Sequence, residues 1–186
     1  MILLAACTPT AKPTLLATEH VLQLVTPVVP EGAGFFDGCT HMVGYPPEFT
    51  TDGAGILFET QDPQISFYIN IRRRTEIEQG LSLEELVSHV SKTYSSQSPS
   101  QELRHVMLTD FLGQELKGLI TDIVTSRGMH VRLLILVRPE TLLMDMVKDD
   151  VVYELVAQAP GGDWVEWESH FEIFFESFRP IECGGV

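Results

Sequence analysis

Six aromatic residues near the end of the chain constrain the fold most. Trp164, Trp167, Phe171, Phe174, Phe175 and Phe178 recur at i, i+3, i+7, i+10, i+11 and i+14, the spacing of one broad apolar stripe on a helix. Pro180 ends the pattern, because proline interrupts the helical hydrogen-bond ladder. Glu168, Glu172 and Glu176 fall at i, i+4 intervals on another face. So wide a stripe needs an equally wide apolar cover, and a sheet supplies one. The spacing of the tryptophans with Phe171 places them in a core before it places them at a ligand.

The strands for such a sheet lie upstream. Residues 41–45 form a short strand stopped by Pro46-Pro47, and 56–60 and 64–71 form two strands joined at Asp62-Pro63. Ile65, Phe67, Ile69 and Ile71 share one face at period 2, the mark of a half-buried strand. Then the period changes. Ser82-Leu83-Glu84-Glu85 spells a capping box, and Leu83, Leu86, Val87, Val90 and Tyr94 follow at helical spacing. Beyond a polar loop at 95–100, residues 104–109, 113–124, 129–137 and 151–159 are strand-like. The Ser126-Arg127-Gly128 turn makes three of them consecutive and antiparallel. Residues 139–150 either extend a long hairpin or make a helical turn. The fold class is α+β: antiparallel strands with helices packed on them.

The three cysteines are Cys7, Cys39 and Cys183. Leu4-Ala5-Ala6-Cys7 has the spelling of a bacterial lipobox, whose small residues fit a signal-peptidase groove and whose Cys sulfur takes a diacylglycerol. Only six residues precede Cys7, none of them basic, whereas a working signal needs a charged start and an apolar run of roughly 7–15 residues. The signal peptide therefore begins upstream of Met1 or has been trimmed. Residues 1–7 are then residual signal peptide and lipobox, 8–37 a Pro-rich tether, 38–182 the domain and 183–186 a tail. Within the tether, residues 20–25 are an apolar island, and Gly32-Ala33-Gly34 lacks the third glycine of a nucleotide fingerprint and reads as a flexible joint. Cys39 precedes the first strand and Cys183 follows the last helix; they either pair, closing a long loop, or remain two buried thiols.

Twelve Lys and Arg face 26 Asp and Glu, a formal charge of −14. That excludes nucleic-acid binding, which needs clustered cations, and no run reaches the roughly 20 apolar residues of a spanning helix. Residues 139–186 hold eleven of the acids and only Lys148 and Arg179, which reads as a solvated acidic face. The histidines, His20, His41, His89, His105, His130 and His170, form no H-E-x-x-H motif, and no Cys-x-x-Cys accompanies them. No G-x-S-x-G elbow or P-loop appears. Asp145, Asp149, Asp150 and Glu154 lack calcium-loop order and read as a solvated loop. One or two of Arg72-Arg73-Arg74 pair with neighbouring acids. No catalytic residue, metal or cofactor is expected.

Several local spellings, in order, resemble the PsbP-like superfamily, including the DcrB-type bacterial lipoproteins. Tyr45-Pro46 followed by Phe49 resembles its early turn, Leu81-Ser82-Leu83-Glu84-Glu85-Leu86 its first helix, and Leu112-Gly113-Gln114-Glu115 its middle-strand opening. Val152-Tyr153-Glu154-Leu155-Val156-Ala157 resembles its last strand, and Phe174-Phe175-Glu176-Ser177-Phe178-Arg179 its helix end. Together they cover residues 40–180. The resemblance implies an α/β/α sandwich around a central antiparallel sheet that binds or helps assemble other components without catalysis. Joined to Cys7, it implies a membrane-anchored extracytoplasmic lipoprotein with a protein partner in the envelope. The alternative is a small-ligand- or cation-dependent enzyme with a pocket on the sheet.

Overall fold

The computed structural model describes residues 29–95, 103–110, 113–142 and 148–181, with backbone alone at 140–142 and 148. Seven strands form one antiparallel sheet: β3 (Thr50–Thr51), β4 (Leu57–Glu59), β5 (Ser66–Arg73), β6 (Arg104–Thr109), β7 (Glu115–Val124), β8 (Met129–Leu142) and β9 (Lys148–Pro160). Their order is β3-β4-β5-β9-β8-β7-β6. A second sheet, β1-β2-β10, joins β1 (Gly34–Asp37), β2 (His41–Tyr45) and β10 (Arg179–Pro180). Helices α1 (Leu83–Tyr94) and α2 (Trp164–Ser177) cover opposite faces of the large sheet. This is the α+β layering expected from the sequence.

β9 lies between β5 and β8 and is buried on both faces. Its Val152 and Val156 join Leu119, Ile123, Leu133 and Ile135 beneath Leu86, Val87 and Val90 of α1. Its Val151, Tyr153, Leu155 and Ala157 face α2, where Phe171, Phe174 and Phe178 are fully buried. The capping box forms as read: Ser82 Oγ accepts from Glu85 N–H at 3.2 Å, and Glu85 Oε2 accepts from Ser82 N–H at 2.8 Å.

The small sheet is tied to the end of α2. Ser177 Oγ accepts from Gly44 N–H at 2.8 Å and donates to Ile173 C=O at 2.5 Å. A Cβ on Gly44 would come within 2.9 Å of the Val29 side chain and 3.2 Å of Ser177 Oγ, so only glycine allows this approach. His41, fully buried, donates from Nε2 to Gly55 C=O at 2.7 Å and accepts the Thr40 hydroxyl at Nδ1. Burial lowers its pKa, so it sits as the neutral ring.

Several boundaries differ from expectation. Residues 34–37 pair with β2 as strand β1, so strand pairing already exists inside the segment assigned to the tether. Gly34 is part of a ladder, and only Gly32 of the Gly-Ala-Gly joint takes the left-handed backbone, φ 86°. Between 139 and 150 the hairpin reading holds: β8 and β9 still pair at Thr141 and Asp149, after a register shift between Arg138 and Thr141.

Phe174 stacks on Phe67 at 4.1 Å and meets Phe49 and Phe58 edge-on at 5.0 and 5.1 Å. Phe174→Ala should therefore cost about 3–5 kcal/mol, the range for deleting a buried aromatic ring, measured as a lower urea midpoint. Val165→Ala, at an 81% exposed position of the same helix, should stay within about 0.5 kcal/mol of the parent.

Candidate binding groove

α2 lies across the sheet so that its second half overhangs β6 and β7. Between them is a cavity of about 380 Å³, with Val106, Leu108, Ile120, Leu134 and Phe175 as its floor and Glu172, Glu176 and Arg179 at its rim. The floor follows from period 2: Val106 and Leu108 of β6, Ile120 of β7 and Leu134 of β8 all point to the α2 side. Gly118, opposite Val106, deepens that surface, since a Cβ there would lie 2.4 Å from Leu136 Cδ2. At the rim, Arg179 Nη1 donates to the carbonyls of Glu176 and Phe178, both at 2.7 Å. Burial lowers the Arg179 pKa.

Glu172 also belongs to a charged cluster beside the groove. Arg132, 4% exposed, donates Nε to Asp122 at 2.7 Å, Nη2 to Glu168 at 2.7 Å and Nη1 to Glu172. Arg104 and His130 also reach Asp122, at 3.3 and 3.2 Å. His130 stacks on Trp164 with ring centres 3.8 Å apart, and the Arg132 guanidinium lies 5.2 Å from that indole. Burial pushes the Asp122 carboxyl up, but the hydrogen bonds from His130 and Arg132 outweigh it and hold it at about 2. Three carboxylates around one guanidinium form a structural knot, with each acid already serving the cation.

A second knot lies under α1. Arg72 donates Nη1 and Nη2 to Glu78, both at 2.6 Å, and Nε to Glu154 at 2.7 Å. The Arg72 hydrogen bonds hold the Glu78 carboxyl at about 2, against the upward push of burial. Asn70 donates to Glu154 at 3.1 Å, and Tyr68 donates to the Tyr94 hydroxyl at 2.7 Å.

Cys7 and Cys183 lie outside the described residues. Cys39 is exposed between β1 and β2. Among the described residues no three or more His, Cys, Asp and Glu are arranged to hold a metal. The acidic loop expected at 145–154 does not form as a unit: Glu154 is buried against Arg72, Asp150 approaches Arg74 at 3.8 Å, and Asp145 lies outside the described residues. His89 and His105 are exposed, whereas His130 is half-buried on Trp164. The Arg132 knot was missed from sequence. Its signal was there: Asp122 and Arg132 interrupt the apolar runs 118–124 and 131–137 and sit directly opposite each other in the ladder.

No family model matches the chain, and no curated protein does. Nine solved chains match, two of them as follows. One is the solution structure of the cyanobacterial PsbP protein CyanoP from Synechocystis sp. PCC 6803, 15% identical over 80% of this chain and 92% of that one, TM-score 0.48. The other is LpqN of Mycobacterium tuberculosis, described as involved in cell envelope biogenesis, 12% identical over 83% of this chain and 82% of that one, TM-score 0.44. Among the described residues no helix is long and apolar enough to cross a membrane.

Arg132→Ala should cost about 2–3 kcal/mol, less than the loss of a fully buried pair because its carboxylate partners are 34–44% exposed. Urea titration reads this directly. Asp122 and Glu78 have depressed folded pKa values, so their stabilisation is full above the unfolded carboxyl value near ~4 and is lost as pH falls through about 2. Acid titration of Asp122→Asn and Glu78→Gln should show lower stability at pH 7 and a shallower decline between pH ~4 and ~2.

Proposed function

We propose that the chain is a lipid-anchored, extracytoplasmic binding and assembly protein of the bacterial cell envelope, acting without catalysis. The observation that supports the binding role is the groove: an apolar floor under a charged rim, open where the sheet ends. A second reading is catalysis in a pocket on the sheet. It would require converging titratable groups with a free proton or electron pair to exchange. The convergent groups here, around Arg132 and Arg72, are committed to ion pairs that hold strands to helices and loops.

Cys7 is the anchor in this reading, and the residues between it and β1 supply the reach. Each buried methylene adds about 0.8 kcal/mol, so one acyl chain gives marginal membrane residence and two or more give a stable hold. An oxidising envelope also favours a Cys39–Cys183 disulfide. Register supports it: β10 pairs with β2, and Ile181 N–H donates to Thr40 C=O at 2.9 Å, which brings the chain two residues before Cys183 beside the residue following Cys39.

The protein expressed in its own host with its full signal should take up a fatty-acid probe and sediment with membranes. Cys7→Ser should lose the label and move to the soluble fraction. Unlabelled parent in the soluble fraction would overturn the anchor. Cross-linking in native membranes should capture an envelope protein with the parent and less of it with Cys7→Ser. In a non-reduced digest, a linked Cys39–Cys183 peptide is expected; separate peptides would rule the bridge out.

A further inference from the structure

We propose that the outer edge of β6 and the groove beneath α2 form a strand-addition site for an extended partner segment that alternates apolar with basic residues. The inference rests on the binding role above and names the chemistry of the partner.

β6 ends the seven-stranded order, and among the described residues only β7 pairs with it. Alternate backbone N–H and C=O groups of Arg104–Thr109 therefore face away from the sheet, a ready template for another strand. Such edges are commonly blunted by prolines, bulges or extreme shortness, and β6 has six residues with no proline and a continuous register against β7. A strand added there would direct every second side chain towards the α2 layer, where Val106, Leu108 and Phe175 line an apolar hollow. Met107, on the opposite face, is 54% exposed and would gain cover from the intervening side chains.

Charge selects the partner. α2 contains Glu166, Glu168, Glu172 and Glu176 and no Lys or Arg. Glu176 stands in the last turn, where the helix dipole is negative, and one turn from Glu172. Glu172 has Arg132, but Glu176 has no ion-pair partner among the described residues, and the nearby Arg179 spends its Nη1 on main-chain carbonyls. An arriving Lys or Arg would give Glu176 an ion pair that no described residue supplies, whereas an acidic strand would be repelled. An apolar-and-basic extended segment fits both the hollow and its rim.

The test uses the full chain and a synthetic nine-residue peptide alternating Lys with Val and Leu. Amide exchange followed by NMR should show the β6 amides that do not bond to β7 slowing about 10-fold or more at saturation. Glu176→Lys, an exposed change outside both ion-pair knots, should weaken the peptide about 3- to 10-fold, and the difference should shrink at high salt. The same peptide with Glu for Lys should not bind, and N-methylation of its edge-facing amides should abolish binding. Equal binding by either control, or protection away from β6, would overturn the site. So would outer β6 amides that are already slow without peptide: in a sedimenting monomer the chain's own residues hold the edge, and in a dimer a second copy does. A missing label on Cys7 leaves this result readable, and an indifferent β6 edge leaves the anchor standing.

Discussion

The packing of Phe174 holds the α2 side of the molecule together. Its ring lies flat on Phe67 of β5 and edge-on to Phe58 of β4 and Phe49 of the link before β3. Four separate parts of the chain therefore meet at one side chain. Three residues later, Ser177 carries that fixed geometry to β2 through Gly44, so the small sheet takes its position from the same helix. Phe175, next to Phe174, contacts Phe67 at 5.5 Å and forms part of the groove floor. Core and groove are thus adjacent faces of one helical turn. Moving the helix enough to close the groove would break the stack.

That geometry explains what was legible in sequence. The aromatic stripe, the capping box at Ser82 and the alternation through Ile65–Ile71 are local patterns with one physical solution each, and all three formed. The small sheet was hidden because β1 and β10 are only four and two residues long. Their pairing with β2 is set by tertiary contacts such as Ser177–Gly44, at a sequence separation of 133. The groove was hidden for a related reason. Val106, Leu108, Ile120 and Leu134 read as ordinary strand residues, and only the place where α2 crosses the sheet leaves Val106 and Leu108 partly uncovered above buried Ile120 and Leu134.

The charge distribution changes meaning in space. Along the chain, acids crowd residues 139–186 and bases are concentrated before them. In the fold, acids from that last quarter meet those bases: Glu154 binds Arg72, Glu168 and Glu172 bind Arg132, and Asp150 approaches Arg74. Arg132 and Arg72 sit on opposite faces of the sheet, each under a different covering layer. A one-residue slip of β8 would turn Arg132 towards the apolar face under α1 and its hydrophobic neighbours towards the acids of α2. The buried Arg132 therefore penalises a wrong register more than it adds to net stability, because desolvation consumes much of the attraction. Acids that do not take part in this pairing, Glu166 and Glu176 on α2, are the ones left to face solvent and whatever approaches the groove. The acidic surface is consequently much narrower than the linear count suggests, and on α2 it includes the rim where β6 ends the sheet.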